Sequence, residues 1–207
     1  MNLDALKSKT ERFLQENGIE INTELPTIEL LEYVSPQSAE NVAKRICALT
    51  YVVGVAYDAK RDELIEQLKG YGLWSSITYR EQRLLQAPDV SQNEKLVCSW
   101  IPESIQALAW CIGLVELDNF KHCDDDLAEK IPFKTDPQEF IRNSSLKPLN
   151  AIQSQSDMLY RMHWAAVNAR LSGKVIALDE GTIMYRRQAI DWVYGVEPEW
   201  EDIPLDT

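Results

Sequence analysis

Four residues in the last third of the chain combine chemically useful side chains with helical spacing. Asp157, Tyr160, Arg161 and Trp164 stand at positions i, i+3, i+4 and i+7, so a helix would place all four on one face. Asp157 precedes Arg161 by four residues, the order that favours an ion pair, and His163 lies at the edge of the same face. Ionisable groups among apolar neighbours form either a functional site or a hydrogen-bonded structural network.

Two interpretations of this group stay open. In the first, His163 or Glu103 acts as an acid/base catalyst, while Arg161 and Arg186 bind a small anionic substrate. In the second, which we favour, the same side chains form a partly buried salt-bridge network that locks the helices together. The candidate catalytic residues are therefore Glu103 and His163, and the candidate binding residues are Asp157, Tyr160, Arg161 and Arg186.

Apolar residues lie on both sides of the helix predicted around Glu103, with Ile105 on one side and Trp110 on the other. Such a helix is central and buried, and a buried carboxylate without a partner is very costly. We therefore expect Glu103 to lie within salt-bridge distance of Arg161 or Arg186.

The run from His122 to Asp126 contains residue types that bind metals, but adjacent side chains rarely bind one ion together. The chain has only two histidines, which excludes a multi-histidine site, and a solvated acidic loop fits the run better. The sequence also lacks glycine-rich phosphate loops, the G-x-S-x-G nucleophile motif and the H-E-x-x-H metal motif. We expect no metal and no cofactor.

The chain is acidic, with 33 Asp and Glu against 21 Lys and Arg and a net charge of -12. This charge disfavours nucleic acids and anionic membranes as partners, whereas a basic protein would be compatible with it. No apolar run is long enough for a membrane span, and the N-terminus lacks the pattern of a signal peptide. The four cysteines show no C-x-x-C spacing and resemble reduced thiols, so we expect a cytoplasmic protein.

Two function classes follow from these observations. The leading hypothesis is a non-enzymatic protein-binding module, for example an immunity-type protein that neutralises a basic toxin. The alternative is an enzyme acting on a small anionic substrate through an Arg/His/Glu pocket. The two differ in whether the candidate residues converge on an open pocket or are buried and paired.

Helical signals dominate the chain, and they predict a single all-α domain of seven to nine helices with at most a short strand near residues 175–178. Residues 1–34 would form an N-terminal helix and an extended linker that packs on the body, and residues 35–207 would form the helical domain. The pair Ser35-Pro36 resembles a helix start, and Pro102 predicts a kink or a fresh start within a long apolar run.

Further local patterns predict helix starts, core positions and a docked tail. Thr78-x-x-Glu81 and Ser91-x-x-Glu94 have the spacing of capping boxes. The predicted core contains Trp110, Trp164 and Trp192, together with Ile105, Leu108, Ile112, Leu149 and Ile190. The tail should dock through Trp200 and Ile203, with Asp206 meeting an arginine or a helix N-terminus.

Four motifs, taken in order, resemble the bacterial domain-of-unknown-function family 4272. They are the Trp-x-x-Glu segment of Trp100–Trp110, Asp-x-x-Tyr-Arg-x-His-Trp at Asp157–Trp164, Arg-x-x-Ala-Ile-x-Trp at Arg186–Trp192, and the ending Trp200–Thr207. The resemblance covers roughly residues 35–207. It implies a helical fold and assigns no activity.

Overall fold

The first helix, α1 (Leu3–Glu16), lies in the N-terminal segment where the sequence predicts a helix. The side chain of Asn2 accepts a hydrogen bond from the amide of Ala5 at 3.1 Å, which caps the first turn. Gly18 has a φ of 72° just beyond the last turn, a left-handed conformation that glycine adopts without strain. The structure is a computed structural model that describes residues 2–207.

All regular structure in residues 2–207 is helical, so the predicted all-α fold class is confirmed. The other helices are α2 (Ala39–Val53), α3 (Arg61–Gly70), α4 (Tyr79–Gln86), α5 (Gln92–Cys111), α6 (Gln138–Asn143), α7 (Leu149–Leu171) and α8 (Glu180–Tyr194). The short strand predicted near residues 175–178 is wrong, because this segment is an irregular connection between α7 and α8. In the described range there is no strand with which it could pair.

Contacts divide the chain into two units that alternate along the sequence. The first unit contains the N-terminal segment up to Gln37, residues 118–122 and residues 147–207, and therefore α1, α7 and α8. The second unit contains residues 38–117 and 123–146, and therefore α2 to α6. The division at residue 34 that the sequence suggests is a different partition and stays a prediction.

In the first unit, α7 packs extensively on α8 and also contacts α1. The side chains that fill this packing are almost fully buried and aliphatic: Ile152, Leu159, Met162, Ile183 and Ile190. Close packing of this kind holds the charged residues of α7 and α8 in fixed positions.

The predicted helix start at Ser35-Pro36 is wrong, because this segment is extended and lies against the end of α8. The amides of Ser35 and Gln37 donate to the carbonyls of Gly195 and Val193 at 3.2 and 3.0 Å. A Cβ at Gly195 would lie 2.2 Å from the carbonyl carbon of Ser35, so this contact requires glycine. Helix α2 begins later, where the Ser38 side chain caps it.

In the second unit, α5 packs against α2 and is the buried helix that the sequence predicts. Every residue from Glu103 to Ala109 is buried, which confirms that this helix is enclosed on all sides. The fresh helix start predicted at Pro102 is wrong, since α5 continues through it. Pro102 removes the N–H that would have bonded the carbonyl of Cys98, and the kink that the sequence suggests there stays a prediction.

The predicted core is correct for its aliphatic centre and less so at its edges. Trp192 is 8% exposed, whereas Trp110 and Trp164 are half-buried. Ile105, Leu108 and Ile190 are buried, and Ile112 is half-buried. The prediction for Leu149 is wrong: this residue is 37% exposed because it opens α7, before the turns that pack on α8.

Candidate functional site

A charged network in the first unit joins α7, α8 and the C-terminal tail, which we define as residues 196–207. Its centre is Arg187, whose Nη1 lies 3.0 Å from Nδ1 of His163 on α7. Nε of Arg187 donates to Oδ2 of Asp191 at 3.3 Å, one turn further along α8. The other carboxylate oxygen of Asp191 accepts from the hydroxyl of Ser156 at 2.5 Å. The network therefore crosses the α7–α8 packing twice.

The same guanidinium holds the tail. Nη1 of Arg187 donates to the carbonyl of Asp206 at 3.1 Å, and Nη2 donates to the carbonyl of Pro204 at 3.0 Å. Asp206 thus meets an arginine, as predicted, but through its main chain. Ile203 is buried, and the ring of Trp200 meets Trp192 edge-on at 5.4 Å, which confirms that the tail docks.

The bond from Arg187 fixes the state of His163. A guanidinium can only donate, so Nδ1 of His163 accepts and the ring is neutral in this arrangement. Burial lowers the pKa of His163 to about 4, and the positive charge of Arg187 acts in the same direction. The lone pair that a general base would use is therefore already engaged.

Asp191 is the second perturbed group of the network. Burial raises the pKa of Asp191 to about 6, against the opposing effects of Arg187 and of the Ser156 hydroxyl. The carboxylate is 5% exposed, so its desolvation outweighs the attraction of a partner at 3.3 Å.

A second charged cluster lies where α7 faces α1 and the segment after it. Arg161 donates to Oδ1 of Asp157 from Nε at 3.1 Å and from Nη2 at 2.9 Å, so the pair predicted from their spacing forms. Nη2 also donates to the carbonyl of Pro26 at 3.0 Å, and Nη1 lies 3.7 Å from the carboxylate of Glu11. Arg161 and Asp157 are both at least 98% buried, so the pair ties the N-terminal segment to α7.

Tyr160 lies between the two charged clusters. Its ring centroid is 4.9 Å from the guanidinium carbon of Arg187 and 5.8 Å from that of Arg161. Both guanidinium groups are close enough to this ring for a favourable cation–π contact. Burial raises the pKa of Tyr160, although both arginines oppose that shift.

A polar cavity of about 300 Å³ opens beside this network. The ionisable and hydroxyl-bearing side chains that line it are Thr27, Glu29, Ser156, Tyr160, Arg187, Asp191, Asp206 and Thr207. Of the six residues singled out from the sequence, Tyr160 alone lines this cavity. The other five are buried side chains that do not line the cavity.

Glu103 and Arg186 are both buried, in different units. Oε1 of Glu103 accepts from the amide of Cys123 at 3.0 Å in the second unit. Nη1 of Arg186 donates to the carbonyl of Asp118 at 2.7 Å in the first unit. The expected pairing of Glu103 with Arg161 or Arg186 stays a prediction.

The second unit contains a different concavity, which we call the apolar cleft, with a volume of about 800 Å³. Its walls come from the end of α2, the 3₁₀ turn at Gly54–Tyr57, the start of α3, the middle of α5 and residues 123–134. The buried part of its lining is aliphatic: Leu64, Ile105, Leu127 and Ile131. Tyr57 and Phe133 line it as well and are 74% and 42% exposed.

Part of the acidic run from His122 to Asp126 lies beside this cleft. Among residues 2–207, no three His, Cys, Asp or Glu side chains are grouped closely enough to hold a metal ion. Asp124 and Asp125 line the apolar cleft, and His122 instead lies 3.0 Å from the Thr182 hydroxyl in the first unit.

Within the described range no helix has the length and apolar content needed to cross a bilayer.

Sequence reasoning missed the centre of the network. Arg187, Asp191 and Ser156 were not singled out, although the first two fall in the motif Arg186–Trp192. A usable signal was present: the two residues are four apart and share a helix face with Ile190 and Tyr194. The signal was weak because the basic residue comes first, which is the less favourable order for a helical ion pair.

The fold and the network together define an all-α protein with four buried arginines and an open apolar cleft in its second unit. Residues 6–203 match the family described as "Domain of unknown function (DUF4272)", and the chain belongs to this family. The match extends over nearly the whole chain and confirms the resemblance read from the four motifs. No curated protein and no solved structure matches the chain.

Proposed function

We propose that this protein is a non-enzymatic binding module for a basic protein partner, with neutralisation of a basic toxin as the form that this binding takes. The observation that carries the proposal is the distribution of charge between the interior and the surface. The buried charged residues include four arginines, Arg45, Arg161, Arg186 and Arg187, against three acids, Glu103, Asp157 and Asp191. The surface therefore keeps the full acidic excess of a chain whose net charge is -12.

The state of the candidate residues supports binding over catalysis. Asp157, Arg161, His163 and Arg186 are each at most 3% exposed. Most of their donors and acceptors bond to other side chains or to carbonyls of the same chain, whereas Oδ2 of Asp157 and Nη1 of Arg161 are buried without a hydrogen bond. Groups committed in this way stabilise helix packing and are poorly placed to meet a substrate.

The test starts from the tagged full chain expressed in its native cell. We expect it to purify with one basic protein in a stoichiometric complex that dissociates as salt is raised, because exposed charges are screened. Co-expression with the chain should relieve any growth arrest that the partner causes alone. Glu103→Gln and His163→Ala, once folded, should leave the complex intact. Absence of a stoichiometric basic partner at low salt would remove the basis of the proposal.

The polar cavity keeps an enzyme acting on a small anionic substrate as the second candidate. Arg187 lines it and is the cation that could attract an anion, with Tyr160 and Ser156 as hydroxyl groups nearby. Three carboxylates line the same cavity, and the donors of Arg187 are bonded to His163, Asp191 and the tail. This arrangement is less favourable for binding an anionic substrate than the sequence suggested. Loss of a measured turnover in Arg187→Lys, with unchanged folding, would support the enzyme.

We also propose a cytoplasmic location. Its support is that all four cysteines are free thiols, three of them buried, as is usual in a reducing compartment. Fractionation of the native cell followed by immunoblotting would check it, and recovery with an extracytoplasmic fraction would contradict it.

A further inference from the structure

We propose that the apolar cleft of the second unit binds a basic amphipathic helix of the partner protein. This inference rests on the proposed function and adds the place of binding and the kind of segment bound. It follows from the floor of the cleft, the aromatic residues at its edge and the charges around it.

The floor requires apolar groups on the ligand. Leu64, Ile105, Leu127 and Ile131 are between 2% and 5% exposed and line one continuous hollow. Polar or charged groups placed there would lose water without gaining hydrogen bonds. The volume of about 800 Å³ is within the range of ordinary ligand pockets and accommodates several aliphatic side chains.

The edge of the cleft has the aromatic residues that dominate protein interfaces. Tyr57 is 74% exposed, far more than a lone tyrosine needs to keep its hydroxyl in water. Phe133 is 42% exposed, and its ring is held by Tyr51 at a centroid distance of 5.0 Å. Aromatic side chains are enriched at protein interfaces and among their binding hot spots.

The charges around the cleft select a basic ligand. Four carboxylates line it, those of Asp58, Glu63, Asp124 and Asp125, against the ammonium groups of Lys60 and Lys134. Lys60 lies 3.0 Å from Glu63, and Lys95 bonds Asp58, so these acids are already neutralised.

Of the remaining lining charges, Asp124 and Asp125 oppose Lys134 alone, so an excess of one carboxylate falls on the corner formed by Asp124 and Asp125. Gln106 fixes this corner, because its amide accepts from the Asp124 N–H at 3.2 Å and donates to the Asp124 carboxylate at 3.0 Å. Lys130 is directed mainly to Asp126, at 2.7 Å, and lies 3.9 Å from Asp124. A lysine or arginine beside the apolar anchors of a ligand would complement the corner.

A helix fits the cleft better than an extended peptide. Extended peptides gain affinity by pairing with the edge of a sheet, and residues 2–207 contain no strand to offer one. An amphipathic helix satisfies its own backbone and presents apolar side chains at i, i+3, i+4 and i+7 to a groove. Basic residues on its remaining faces would lie next to the acidic corner.

The test uses three fluorescein-labelled designed helices of about 18 residues, or five turns. The first has a leucine face and lysines elsewhere, the second replaces the lysines by glutamates, and the third replaces the leucines by serines. We expect the Leu/Lys helix to bind the full-length protein in fluorescence anisotropy, and the other two to bind at least about tenfold more weakly. Equal binding of the Ser/Lys helix, or of the Leu/Glu helix, would overturn the inference.

Variants with matched controls locate the binding. Tyr57→Ala and Phe133→Ala should each weaken the Leu/Lys helix by about tenfold, as truncation of a hot-spot residue does. Tyr79→Ala removes a ring that is 72% exposed outside the cleft and should have no effect. Asp125→Lys should weaken binding more than Glu129→Lys, which makes the same charge change at an exposed residue outside the lining. Equal effects of variant and control would show that the cleft is not the site.

The natural partner separates this inference from the proposed function. If the partner binds wild type and is indifferent to Tyr57→Ala and Phe133→Ala, protein binding stands and the cleft is wrong. If the Leu/Lys helix binds as expected but the native cell provides no protein partner, the cleft stands and the proposed function is wrong.

Discussion

Nη1 of Arg187 lies 3.0 Å from Nδ1 of His163, and the same guanidinium bonds Asp191 through Nε at 3.3 Å. One arginine therefore contacts both of the strongly perturbed groups in the network. Burial favours the neutral form of each, so the pKa of His163 falls to about 4 while that of Asp191 rises to about 6. The two shifts have opposite consequences for stability over the same pH range.

The first prediction is that these two effects oppose each other between pH 4 and 6.5. Folded Asp191, with a pKa near 6 against 3.8, holds more protons than the unfolded chain, so its contribution to stability is lost as pH rises. Folded His163, with a pKa near 4 against 6.5, holds fewer, so its contribution is lost as pH falls. Relative to wild type, Asp191→Asn should therefore become more stable as pH rises, and His163→Gln less stable, each by roughly 3 kcal/mol.

Urea unfolding at a series of pH values from 4 to 7 measures both slopes. The comparison uses the change of the unfolding free energy with pH. The part of each substitution's cost that does not depend on pH therefore cancels. Parallel curves for wild type and the two variants would show that neither group titrates differently in the folded protein.

The second prediction concerns whether the candidate residues are structural. Glu103→Gln removes the charge from the acceptor of the Cys123 amide, and His163→Ala removes the acceptor of Arg187. We expect each to lower the free energy of unfolding by about 1–3 kcal/mol, because a buried donor loses its partner or its charged acceptor. Thermal melts of the two variants provide the measurement. No loss of stability in either would favour a functional site, since functional groups are often held at a cost to stability.

The third prediction is that the tail stabilises the first unit. Ile203 is 5% exposed, the Gln188 amide donates to the Trp200 carbonyl at 3.1 Å, and the Trp192 indole donates to the Pro198 carbonyl at 3.2 Å. Ile203→Ala should cost about 2–5 kcal/mol, and deletion of residues 198–207 should cost more. Glu197→Ala, at an exposed tail position, is the matched control and should melt like wild type. An unchanged melting temperature after the deletion would show that docking adds no stability.

Local signals predicted much of this fold, and long-range contacts decided the rest. Both capping boxes depend on residues three positions apart, so the sequence reveals them directly. The extended course of Ser35 depends on Gly195, which lies far away in sequence. Contacts that are distant in sequence also explain why the sequence singled out Arg186 and not Arg187, the centre of the network. The two residues point about 100° apart on α8, and the docked tail determines what Arg187 meets.

The fourth prediction compares two capping boxes that look alike in the sequence. In each box the hydroxyl accepts from the glutamate amide at 3.2 Å, and the glutamate side chain accepts from the cap amide at 2.8 Å for Glu81 and 2.7 Å for Glu94. Glu81 has a further role, because Arg45 binds its carboxylate through Nη1 at 2.6 Å and Nη2 at 2.8 Å. Arg45 is 3% exposed, whereas Glu94 lies on the surface.

Glu81→Ala should therefore cost about 3–5 kcal/mol, because it removes the bidentate partner of a buried guanidinium as well as a cap. Glu94→Ala removes only the cap and should cost clearly less, which makes it the control for Glu81. Arg45→Met in the Glu81→Ala background should restore part of the loss, since the charge is then no longer buried without that carboxylate. Chemical unfolding of the four proteins provides the comparison. Equal losses for the two alanine variants would mean that the Arg45–Glu81 pair adds nothing to the stability that the cap supplies.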